Sequence, residues 1–278
     1  MKKIASIILM GVLCISLFAG CNTTPTSGTP SASPDSSAED TSWEYIQNKG
    51  EFIVGLDPTF APMGFTNEKG EIIGYDIDLA NMVGEQLGLK VTFQPIDWDS
   101  KEMELEGKKV DVLWNGMSKT PERVEKMTLT EPYLNNVIVI MTKKGSDIDT
   151  KEDLVGKNLA VQAESSGLEV VENDPIYDQI KDKLTEYKSY DDAIMDLEIG
   201  RVDAIIIDQV LGKYKAAQKP DTYEFGTEHF GEDLYVIGLR KSDKAFAEKL
   251  QGAMDELIAS GKASEASMKW FGEDLVVK

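Results

Sequence analysis

Short apolar runs recur along the chain between residues 52 and 239, separated by stretches in which apolar positions fall three and four apart. The uninterrupted or alternating runs predict strands at 52–56, 91–95, 110–114, 137–141, 158–162, 204–207 and 234–239. The helical spacing predicts helices over 76–87, 165–172, 190–199, 209–217 and 244–260. Strands and helices that alternate in this way argue for α/β layering. Isoleucine and valine dominate the strands, and a run such as Ala204-Ile205-Ile206-Ile207 suits a strand buried on both faces of a parallel sheet.

The N-terminal region has a different pattern. Lys2 and Lys3 precede an uncharged run over 4–18, which suits a secretory signal better than a finished membrane span, so 1–20 is expected to be a signal peptide. The run ends at Leu17-Phe18-Ala19-Gly20-Cys21. This segment resembles a bacterial lipobox, in which cleavage leaves a diacylglyceryl cysteine at the new N-terminus, although Phe18 stands where such proteins more often have Leu. Lipidation is therefore expected at Cys21, with a simple small-residue cleavage site as the alternative. Residues 22–42 hold 15 Ser, Thr, Pro or Gly in 21 positions and almost no large apolar group, so 21–42 is expected to be a lipidated cysteine and disordered tether. A coil of that length reaches roughly 25 Å, enough to keep a folded part near a membrane.

Charge and rare residues narrow the chemistry. With 49 acidic against 29 basic side chains, the formal charge is -20, which disfavours nucleic acid as a partner. Both cysteines lie within the first 21 residues, so no thiol remains beyond Cys21 for a disulfide, thiolate metal site or cysteine nucleophile. The single histidine, His229, excludes a multi-histidine zinc site. A carboxylate-only calcium or magnesium site stays open on composition. No cofactor is expected.

One internal echo bears on domain count. Met103-Glu104-Leu105-Glu106-Gly107-Lys108-Lys109-Val110-Asp111-Val112-Leu113-Trp114 aligns with Met195-Asp196-Leu197-Glu198-Ile199-Gly200-Arg201-Val202-Asp203-Ala204-Ile205-Ile206. Two lobes of similar construction would produce it, as would any two ordinary helix-turn-strand connectors.

Ligands of open parallel sheets bind beyond the carboxyl ends of the strands. Here those ends lead into Asp57 with Phe60 and Pro62, into Asn115-Gly116-Met117-Ser118 with Thr120 and Arg123, into Ala163-Glu164-Ser165-Ser166-Gly167, and into Asp208. Arg123 and the amides around Ser118 and Ser166 suit a carboxylate, whereas Asp57 and Asp208 suit an ammonium or another cationic donor. A zwitterion fits this set better than a phosphate or an apolar ligand, and an amino acid is the simplest zwitterion. Each piece has a plainer use: Arg123 as part of a mixed-charge surface run, Asp208, Ser165 and Ser166 as helix caps, and Phe60 and Trp98 as core.

Taken in order, these segments resemble the family 3 extracellular solute-binding proteins of amino-acid ABC transporters. The matching residues are Gly55-Leu56-Asp57 through Phe60, Gly74-Tyr75-Asp76-Ile77-Asp78-Leu79-Ala80, Asp97-Trp98, Gly116-Met117-Ser118-Lys119-Thr120-Pro121-Glu122-Arg123, Glu131-Pro132-Tyr133, Asp153-Leu154-Val155-Gly156-Lys157 and Gly200-Arg201-Val202-Asp203-Ala204. The resemblance implies a two-lobe, type II periplasmic-binding-protein-like α/β fold with crossings near 133–137 and 232–236. The expected division is 43–137 plus 233–278 for lobe 1 and 138–232 for lobe 2.

By the same resemblance Arg123 grips an α-carboxylate with the amides of Ser118 and Ser166, while Asp208 and the Gly116 carbonyl take the α-amine. Phe60 and Trp98 sandwich the side chain, Asp57 and Gln162 sit near its tip, and Met117 and Ser165 complete the lining. Glu164 stands where many relatives have Gly. Against a cationic or amide ligand, and apart from the resemblance, Lys101 follows closely on Trp98, from where it could swing in to neutralise the site.

The implied function is a membrane-tethered, monomeric receptor that delivers an amino acid with a cationic or amide side chain to an ABC permease and catalyses nothing. Cystine is an alternative ligand, because two aromatic rings also accept a disulfide. A dehydratase on the same fold is a weaker alternative, since no nucleophile-base pair stands out. A receptor's sensing module would need a further membrane segment or signalling domain after Trp270-Phe271-Gly272.

Overall fold

The computed structural model describes residues 40–278, so the expected signal peptide, Cys21 and nearly all of the expected tether lie outside the described residues. The first described helix, Ser42–Lys49, starts one residue before Trp43 and ends at Gly50 in the left-handed conformation.

Two sets of parallel strands are built alike. Glu51–Leu56 pairs in parallel with Lys90–Pro95 on one side and Val112–Ser118 on the other. Leu159–Gln162 pairs in parallel with Leu184–Tyr187 and Ala204–Asp208. Between them run two long strands, Leu134–Lys143 and Tyr223–Arg240, antiparallel to each other and to their outer neighbours. One strand carries the chain out of the first half and the other returns it, which is why they oppose. The sheet is therefore mixed, and the expected parallel arrangement holds only within each half. Asn135, Asn136 and Val137 pair with Leu234, Asp233 and Glu232, so the two segments expected to cross lie side by side.

Helix Tyr75–Leu87 buries Ile77, Leu79, Ala80 and Val83, the three- and four-residue spacing of one face, and Gly88 ends it with φ 70°. It packs with Lys244–Ala259 and Lys262–Phe271 on the first half. Helices Ser166–Glu172 and Tyr190–Glu198 pack on the strands of the second.

The sequence echo has a structural counterpart in its hydrogen bonds. In the first half the Asp111 amide donates to the Ile53 carbonyl and the Asp111 carboxylate accepts from the Ile53 amide at 2.9 Å. In the second, Asp203 makes the same pair of bonds with Asn158, at 2.7 and 2.8 Å. Ahead of them, Lys109 and Val110 donate to the Glu104 carbonyl as Arg201 and Val202 donate to that of Asp196. Matching bonds at matching positions favour related halves over coincidence.

Candidate functional site

Strand ends from both halves converge on a narrow cavity. Ten of the eleven candidate residues line it: Asp57, Phe60, Trp98, Gly116, Ser118, Arg123, Gln162, Ser165, Ser166 and Asp208, joined by Asn115. Met117 does not. Its side chain is fully buried in the apolar cluster with Val236 and Leu113, because neighbouring residues on a strand face opposite ways.

Gly116 has φ +57°, and a Cβ there would lie 2.7 Å from the Phe60 ring, so the turn in this strand needs glycine. Its amide donates to Asp76 at 2.7 Å, which fixes the strand end against helix Tyr75–Leu87. A small antiparallel sheet of Thr59–Phe60, Gly64–Thr66 and Ile72–Ile73 positions Phe60, whose ring centroid is 6.1 Å from that of Tyr190. Its strands of two and three residues are too short to show a period in the sequence.

Arg123 belongs to helix Pro121–Lys126, capped by Thr120. Its guanidinium is buried and donates to the Ser118 carbonyl at 2.9 Å and to the Glu164 carbonyl at 3.3 Å, with no carboxylate in salt-bridge contact among the described residues. Burial pushes its pKa down, opposed first by Asp233. A guanidinium held by carbonyls alone is a ready partner for an incoming carboxylate. Facing it, the Ser118 and Ser166 hydroxyl oxygens lie 2.7 Å apart. Ser165 caps its helix by accepting from the Leu168 amide and donates to the Gln162 carbonyl.

Asp208 supplies the opposite charge. It precedes helix Gln209–Gln218 but does not cap it through its side chain. Instead its Oδ1 accepts from Tyr235 at 2.6 Å and from Asn136 at 2.7 Å. Burial, reinforced by the nearby Asp233, raises its pKa. At the other end of the cavity Asp57 accepts from the Thr59 amide and hydroxyl and from Gln162, and burial raises its pKa too.

Lys101 is only 2% exposed and reaches across the cleft to the Glu164 carbonyl at 3.0 Å, the same oxygen that Arg123 uses. Burial lowers its pKa to about 8. Its Nζ also lies 5.5 Å from the Trp98 ring centroid, which places it beside Trp98 and near Arg123. Glu164 adopts φ +54°, a left-handed conformation that a glycine would hold without strain.

Asn136, Asp233 and Tyr235 also belong to this network but escape the strand-exit rule, because they sit inside the crossing strands. The adjacent Asn135-Asn136 pair inside the crossing expected at 133–137 is the one signal for Asn136.

A larger cavity of about 710 Å³ lies beside the crossing strands, lined mainly by groups such as Val210, Tyr214, Trp270 and Phe271. Its charged residues, Lys213 and Glu273, are half exposed and lie 3.6 Å from each other. The buried, opposed charges are in the smaller cavity, and the binding chemistry is assigned there. Among the described residues there is no metal-binding group of three or more His, Cys, Asp or Glu, and no helix long and apolar enough to cross a membrane.

Comparison with known proteins gives a consistent picture. The pattern of the bacterial extracellular solute-binding proteins, family 3, matches residues 52–273. The chain is 28% identical over 272 residues to the L-cystine-binding protein TcyJ of Escherichia coli strain K12, covering 96% of each chain. It is 29% identical over 222 residues to the ABC transporter arginine-binding protein 1 of the same strain, covering 78% of this chain and 89% of that one. The histidine-bound substrate-binding protein of an ABC uptake transporter from Streptococcus pneumoniae superposes with a TM-score of 0.83 at 38% identity, covering 86% of this chain and 99% of that one.

Proposed function

The chain belongs to family 3 of the bacterial extracellular solute-binding proteins and has their two-lobe, type II α/β fold, and from that premise we propose that it captures a polar amino acid and passes it to an ABC permease. The observation that carries this reading is the pairing of buried, opposed charges in one cavity: Arg123, bonded only to carbonyls, and Asp208. Arg123, with the Ser118 and Ser166 amides, takes the α-carboxylate; Asp208 and the Gly116 carbonyl take the α-amine. Phe60 and Trp98 flank the side chain, and Asp57 with Gln162 meets its tip.

A tip of this kind favours a cationic or amide side chain. Cystine is the second reading, supported by the 28% identity to TcyJ over nearly the whole chain. The protein binds its ligand without transforming it. Lobe 1 comprises 43–137 and 233–278, and lobe 2 comprises 138–232. The chain is a monomer, exported by its signal peptide and held on the outer face of the cell membrane by lipid, palmitate included, at Cys21. Calorimetry with the twenty amino acids and cystine, followed by recovery of the bound compound, tests this reading. A single saturable site that returns its ligand unchanged is expected, and a converted ligand would move the protein to the enzymes.

A further inference from the structure

Asp233 lies on the returning crossing strand, at the centre of the site's polar network. Its Oδ2 accepts from the Ser118 hydroxyl at 2.7 Å and from Asn136 Nδ2 at 3.0 Å. The same Asn136 nitrogen donates its other hydrogen to Asp208 Oδ1 at 2.7 Å. One amide therefore stands between two carboxylates, and its own oxygen is in reach of the Val210 amide at 3.4 Å, which fixes its orientation. Among the described residues no side chain donates to Oδ2 of Asp208 or Oδ1 of Asp233, while the backbone amides of Asp208 and Leu234 lie close to the pair. The charged and titratable groups around the pair are Arg123 from helix Pro121–Lys126, Tyr190 from helix Tyr190–Glu198, and Tyr235 on Asp233's own strand.

We propose that Asp233 is a positioning residue for the amine end of the ligand: through Asn136 it sets a second negative charge behind Asp208, so that the pair holds a proton in common and releases it when an ammonium arrives. Two like charges in so buried a place do not both ionise readily, and burial raises the pKa of both. An ammonium brings the missing positive charge. The proton then leaves for solvent as the ammonium enters, and the charge of the site is unchanged by the exchange. A neutral donor in the same position, such as a hydroxyl, supplies no charge and leaves the proton where it is. This inference rests on the amino-acid reading above and adds to it a reason for discrimination between an amine and a hydroxyl.

The test is calorimetry on the intact protein near pH 6.5, with L-arginine or the tightest-binding amino acid in its place, in two buffers of different ionisation enthalpy. The wild type is expected to release about half a proton or more per ligand bound. Asp233→Asn is expected to release clearly less, because burial alone still raises the Asp208 pKa, and its preference for the amino acid over the matching 2-hydroxy acid should fall by about tenfold or more. That preference is a ratio within one preparation, so partial misfolding does not move it, and Asp233→Ser serves as a second variant. Equal proton release by wild type and Asp233→Asn, or none by the wild type, would overturn the inference while leaving the amino-acid reading standing. Failure of the wild type to bind any amino acid would overturn both.

Discussion

Gln162 Nε2 donates to Asp57 Oδ2 at 2.8 Å, joining two residues 105 positions apart that leave strands in opposite halves of the molecule. The contact satisfies part of a buried carboxylate from across the cleft, so the group proposed to meet the ligand's side chain also links the two halves. Asp57→Asn should therefore weaken binding of a cationic ligand by about ten- to a hundredfold, the worth of a charge-assisted bond, and of an amide ligand by less. Because burial raises the Asp57 pKa, binding of the cationic ligand should weaken further as pH falls through that raised value. Competition titrations with arginine and glutamine measure both effects, and equal losses for the two ligands would detach Asp57 from the side chain.

Arg123→Ala should cost about 3 to 5 kcal/mol of binding, more than a hundredfold, since it leaves an enclosed carboxylate without its partner. Asp208→Asn should also be severe, because it keeps the shape and removes the charge opposite the amine. Folded variants that bind within threefold of wild type would refute these assignments.

Asp57, Gln162 and Asp208 are legible as cleft residues because they stand at the ends of apolar strands, and Arg123 because it follows shortly after one, where sheet geometry gathers them. Met117 does not line the cavity with the others, because the strand continues to Ser118 and its alternation turns that side chain into the apolar core. Asp233 and Asn136 lie within strands, where a polar residue reads as a solvent-facing position, and only the pairing of the crossings buries them. Strand Leu184–Tyr187 leaves no clear apolar run in the sequence because it is short and carries exposed Thr185 and Glu186.

Lys101 gives a pH signature. Burial, helped by the like charge of Arg123, lowers its pKa from 10.5 to about 8, while Glu164, Glu102 and Glu122 act the other way. Between those values the unfolded chain binds the extra proton, so Lys101's contribution favours the fold increasingly as pH rises from about 8 toward 10. Denaturant titrations of wild type and Lys101→Met across that window should differ by an amount that changes with pH by about 2 kcal/mol. A constant difference would mean that folding does not lower the Lys101 pKa.

Glu164→Gly should raise stability or leave it unchanged, within about 1 kcal/mol, because release of left-handed strain at φ +54° is offset by the greater freedom of glycine in the unfolded chain. Urea midpoints decide it, and a loss beyond 1 kcal/mol would show that the Glu164 side chain makes a contact of its own.

The central claim is that a zwitterion with a polar, non-acidic side chain is held between Arg123 and Asp208. A single calorimetric competition series of arginine, lysine, histidine, glutamine, cystine and glutamate tests it most directly. The account predicts one site per chain, filled most tightly by a cationic or amide amino acid, with cystine as its nearest competitor and glutamate among the weakest. Tightest binding by glutamate would contradict it, for it would mean that Lys101 and Arg123 together, and not Asp57, set the sign of the pocket.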